Sequence, residues 1–93
     1  MIIRILGEGQ LQVDDAVAAE LHTLDTDLEA AVNRNDQEAL TAALEAMLSR
    51  ARSQGTALPP DSLEPSDVII PHEGATLDEV RKLLTTDEGL IPG

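Results

Sequence analysis

His22 and His72 are the only side chains in this sequence whose ordinary pKa lies near neutrality, and there is no cysteine. A transition-metal site would therefore need both histidines together with carboxylates gathered by the fold, because zinc and its neighbours are held by closely paired His or Cys ligands. The spacing does not pair them. His22 follows Leu21, so on a helix it lies ~100° around the axis from an apolar stripe, at a boundary or solvated position. His72 follows Pro71 in a loop and reads as a surface residue. Ser49, Ser53, Ser62 and Ser66 stand in no nucleophile-elbow context, and no histidine is placed by sequence to activate one. The chain reads as a non-enzyme without a cofactor.

Two further patterns invite a ligand and fail on inspection. Asp25-Thr26-Asp27-Leu28-Glu29 begins like a calcium loop, with oxygen ligands at alternate positions, but the sixth position is Ala30 where the sharp turn needs Gly. The twelfth is Asp36 where a bidentate Glu is usual. Gly7-Glu8-Gly9 lacks the third glycine of a dinucleotide fingerprint and leads into a second strand, so it is a turn and not a phosphate cradle.

What remains is charge. Eighteen Asp and Glu against six Lys and Arg give a net charge of -12 in 93 residues, with no Phe, Trp or Tyr. Binding to nucleic acid needs cations that displace phosphate counterions, or aromatic platforms for stacking, and the sequence offers neither. The same field repels an anionic lipid surface, so no direct membrane binding is expected. Asp14, Asp15, Glu20, Asp25, Asp27, Glu29, Asp36, Glu38 and Glu45 concentrate half of the acids in one segment. Such a field speeds encounter with a basic partner.

The elements that carry these residues follow from periodicity. Ile3 and Ile5 alternate with Ile2, Arg4 and Leu6, and Gln10-Leu11-Gln12-Val13 alternates with period two beyond the glycine turn, which predicts a β-hairpin. The first strand is apolar on both faces and suits a central position. Asp14 or Asp15 caps a helix whose stripe is Val17, Leu21, Leu24, Leu28 and Val32. After Asn33-Arg34-Asn35-Asp36, an Asn35/Glu38 capping box opens a second helix with the stripe Leu40, Leu44, Met47, Leu48 and Ala51, stopped by Gly55. Pro59, Pro60, Pro65 and Pro71 exclude a helix over 56–75, where Leu58 and Leu63 read as anchors pinning an extended loop. Val68-Ile69-Ile70 within it suits a third strand beside the first. Thr76-Leu77-Asp78-Glu79 is a capping box for a short helix with Leu77, Val80, Leu83 and Leu84 at helical spacing. The expected fold is α+β, one domain over 1–93. An N-terminal β-hairpin, joined by a short strand at 68–70, packs on an antiparallel helical hairpin and a short C-terminal helix. The apolar opening is too short for a signal peptide and no stretch reaches a membrane span, so a soluble, cytoplasmic protein is expected.

Three stretches carry a resemblance: Met1-Ile2-Ile3-Arg4-Ile5-Leu6-Gly7-Glu8-Gly9-Gln10, Leu63-Glu64-Pro65-Ser66-Asp67-Val68-Ile69-Ile70-Pro71, and Asp87-Glu88-Gly89-Leu90-Ile91-Pro92-Gly93. With the intervening helices, the chain resembles the PspAA family, small proteins of bacteria and archaea associated with the membrane-stress protein phage-shock-protein A. The resemblance carries no active site. It implies a non-enzymatic accessory that acts with that coiled-coil partner, binding it and adjusting its assembly or stress response, and lying at the membrane only through it. Joined to the charge, it predicts that Glu20, Asp25, Asp27 and Glu29 meet basic segments of the partner's helices, with Leu90 and Ile91 as an apolar contact at the edge. A self-associating structural or regulatory domain, a homo-oligomer pairing through a sheet edge or helix stripe, is the alternative from a different class. A metal-assisted hydrolase built on carboxylates and both histidines is the third.

Overall fold

Positive φ angles at Gly7 and Gly9, +85° and +119°, reverse the chain between two strands, a conformation that costs any residue with a Cβ. In the computed structural model, which describes residues 1–83, this turn joins β1 (Ile2–Ile5) to β2 (Gly9–Gln12) as an antiparallel hairpin. β3 (Thr56–Ala57) adds antiparallel to β2, and β4 (Val68–Ile70) adds parallel to β1, giving the order β3-β2-β1-β4. The central position of β1 and the strand at 68–70 are as the sequence predicts. β3 is not, because two residues between Gly55 and the prolines leave no period to read.

Between β2 and β3 run α1 (Asp15–Asn33) and α2 (Gln37–Gln54), and α3 (Leu77–Leu83) follows β4. The Asp14 carboxylate accepts from the Val17 amide at 2.9 Å and caps α1. The expected Asn35/Glu38 box is corrected by one residue. Asn35 takes φ +57°, while the amides of Asn35 and Asp36 donate back to Val32 and Ala31, closing α1 in a Schellman turn. Asp36 is then the cap of α2, accepting from Ala39 at 3.1 Å. At α3 the expected box forms in both directions, with Glu79 N–H on Thr76 Oγ1 and Thr76 N–H on Glu79 Oε1.

Alternation along the strands gives the sheet two unlike sides. Ile3, Ile5, Val13, Val68 and Ile70 point into an aliphatic core shared with Leu21, Leu28, Leu40, Leu44, Met47 and Leu48 of the helices. Arg4 lies opposite Gln10 on one neighbour and Ile69 on the other, so these three share the side away from the helices. Residues 58–67 cross that side as a strap between the two edge strands. Both edges are short and each is closed by proline, β3 by Pro59 two residues on and β4 by Pro71 directly, which blunts pairing with another chain. Gly55, extended in backbone, follows the last turn of α2, and the position suits glycine because a Cβ there would stand 2.6 Å from the Ala51 carbonyl oxygen and 3.1 Å from Leu11 Cβ.

Candidate functional site

The helix side was the expected contact surface, and α1 distributes its acids over several directions. Asp25 is 1 % exposed and belongs to the buried line Val17, Leu21, Asp25, Leu28, Val32. It stands four residues after Leu21 and three before Leu28, so spacing alone puts it inward, and Leu24 is displaced to a half-buried flank. The expectation that Asp25 faces a partner is thereby corrected. Glu20 is exposed and taken up by Arg50 of α2, with Arg50 Nη2 3.0 Å from Oε1 and a second bond from Nε. Those hydrogen bonds hold the Glu20 carboxyl below its ordinary range and push the Arg50 guanidinium up. Asp27 is exposed and Glu29 half-buried, but residues two positions apart on a helix stand ~200° around the axis, so they face different sides. Glu20 and Asp27, seven apart, do share one. Leu90 and Ile91 lie outside the described residues.

Asp27 borders an open groove between α1 and α2, floored by Leu24 and by Ala39, Ala42, Ala43 and Ala46. Arg34 stands at its end. Asp14 and Asp36 are held in place as helix caps. At the opposite end of α2, Arg52 binds Glu8 of the hairpin turn (Nε to Oε1, 3.0 Å, with a second bond) and Glu73 at 3.2 Å. The hydrogen bonds from Arg52 lower the Glu8 carboxyl, and the two acids together raise Arg52. Arg52 thus ties helix, hairpin turn and the approach to α3.

The side away from the helices holds features that the sequence left unread. Gln10 is nearly buried, and its amide donates to the Glu64 carbonyl at 2.8 Å and to Ser66 Oγ at 2.9 Å. The Asp67 carboxylate accepts from the Ile2 amide at 2.7 Å, while Asp67 N–H donates to Ile2 O. These bonds hold the strap down over the sheet. Leu58 is half-buried, as an anchor should be. Leu63 is 97 % exposed, which overturns its expected anchoring role; the pinning is polar and runs through Gln10. Beside the start of the strap is a cavity of about 350 Å³ lined by Arg4, Gln10, Arg52, Leu11, Leu58 and Pro60. Arg4 makes no ion pair among the described residues.

His22 is half-buried on α1, and His72 Nε2 stands 3.5 Å from Glu79 Oε2 in the loop before α3. Glu79 is held below its ordinary range, chiefly by the Thr76 amide and hydroxyl that bond it. Among the described residues no group of three or more His, Asp or Glu is placed to hold a metal ion. No helix among them is long and apolar enough to cross a membrane.

A family model described as PspA-Associated protein matches residues 1–93, the whole chain. No curated protein and no solved structure gives a match. The chain belongs to the PspA-associated protein family.

Proposed function

We propose that this member of the family is a non-enzymatic accessory that binds a PspA-like coiled-coil protein and adjusts its assembly in the membrane-stress response. The observation that carries the reading is the match of all 93 residues to a family whose description names PspA as its associate. The net charge of -12 supports it, since a basic partner gains from that field both in encounter rate and in choice of partner. On the helix side the proposed contributors are Asp27 and, on the same face, Glu20 held beside Arg50. The protein acts in the cytoplasm and reaches the membrane surface through its partner.

Self-association is the weaker reading, because the helix stripes are covered by one another and by the sheet, and both sheet edges are blunted. The test is size-exclusion chromatography with light scattering on the protein alone and mixed with the PspA homologue of the same organism, at low and high salt. Refractive index serves as detector, since the chain lacks aromatic residues. A co-eluting complex that weakens with salt is expected. A defined oligomer alone and no complex at either salt would replace this reading by self-association.

A further inference from the structure

Leucine is among the residues most often buried, and here Leu63 is 97 % exposed on a segment fastened on both sides of it. Before it, Leu58 N–H donates to the Gln10 carbonyl and Ser62 N–H to the Pro59 carbonyl. Directly after it, Glu64 N–H bonds Ser62 Oγ at 3.3 Å and the Glu64 carbonyl accepts from Gln10. Pro59, Pro60 and Pro65 fix further backbone angles. A large apolar side chain offered from a fastened backbone is preorganised for contact, because little freedom remains to be lost when something covers it.

We propose that Leu63 is the apolar anchor of a docking surface for a cationic protein segment, one that presents an apolar seam flanked by Lys or Arg. The charge around it selects that occupant. Asp61 and Glu64 flank Leu63, both are exposed, and neither has an ion pair among the described residues. A second copy of this chain would bring the same acids and a charge of -12 against them, and an anionic lipid surface is repelled likewise. A buried anchor inside a charged rim is the arrangement in which few residues carry most of the binding energy.

The inference rests on the proposed function, which supplies the partner, and it adds the place and the chemistry of contact. It is tested by surface binding kinetics with two probes: the PspA homologue of the same organism, and a synthetic amphipathic Leu/Lys helix with its Leu/Glu counterpart. Leu63→Ser is expected to raise the off-rate on the homologue and on the Leu/Lys helix by roughly 10–100-fold, with the melting temperature unchanged. Leu63→Met restores slow dissociation. Glu45→Lys, at an exposed acid of α2 outside the proposed contacts, changes the on-rate and its salt dependence through the long-range field and leaves the off-rate within about threefold. If Leu63→Ser dissociates from the Leu/Lys helix and the homologue as slowly as the parent, or if the Leu/Glu helix binds equally well, the docking surface is wrong. If the Leu/Lys helix shows the Leu63 dependence while the homologue does not bind, the docking chemistry stands and the partner named under the proposed function falls.

Discussion

The two sides of the sheet are built on different physics. Toward the helices, Ile3, Ile5, Val68 and Ile70 meet an aliphatic layer of leucines and Met47, and the stabilisation comes from apolar area removed from water. Away from them, a strap with three prolines is fastened by single polar bonds through Gln10 and Asp67, and an intact leucine side chain is left in solvent. The difference separates two tasks. One side holds the fold; the other is free to be shaped for contact, since Leu63 contributes almost nothing to the core.

That division can be broken in a graded way, followed by far-UV circular dichroism because no aromatic reporter exists. Leu21→Ala, in the fully buried layer, is expected to cost about 2–5 kcal/mol in urea unfolding and to lower the whole transition. Gln10→Ala leaves the Glu64 carbonyl and the Ser66 hydroxyl without their partner and is expected to cost about 1–3 kcal/mol. Its signature is local: limited proteolysis within 58–66 accelerates more than global unfolding does. Equal acceleration of strap proteolysis, relative to global unfolding, by the two substitutions would erase the distinction between the sides. Asp36→Ala, which removes the α2 cap, is expected to cost about 1 kcal/mol and to leave strap proteolysis unchanged.

The smallest effect is the pH dependence. Glu8, Glu20 and Glu79 are held below the ordinary 4.5, so what they contribute is present above that value and is lost as pH falls through their lowered folded-state pKa values. All three are largely exposed, which keeps each contribution small and salt-sensitive. Relief of self-repulsion at a net charge of -12 works in the opposite direction. Glu20→Gln is expected to flatten the acid limb of a melting-temperature profile measured at low salt, and an unchanged limb would show that the Arg50 pair contributes nothing.

The legible parts of the fold were those written in spacing. The hairpin, the helix pair with Leu40, Leu44, Met47, Leu48 and Ala51 buried along α2, the strand at 68–70 and the Thr76/Glu79 box all follow from period or from caps. Asp25 was misassigned because residue type was weighed above position, although the interval from Leu21 to Leu28 already placed it on the buried line. Asn35 and Asp36 are both good caps by type, and only the left-handed turn at Asn35 decides between them. The extended course of 58–67 and the anchoring by Leu58 were legible, but the polar fastening of the strap was not. Its polar fastening joins Gln10 to Glu64 across 54 positions, and no local pattern records a bond of that span. The exposure of Leu63 follows from that same fastening and was equally hidden.

The distance in sequence between Ile2 and Asp67, 65 positions, sets an order of events. The α1/α2 pair closes over about half that interval, as the 30 positions from Glu20 to Arg50 show, and local closures lose less chain entropy and form sooner. β4 and the strap are therefore expected to join last and to open first, with the amides of Val68 and Ile70 exchanging hydrogen through smaller openings than those of α1 and α2. On this account the surface bearing Leu63 is a late product of folding. A chain that has formed only its helices does not yet display it, so recognition reports that the molecule has finished assembling itself.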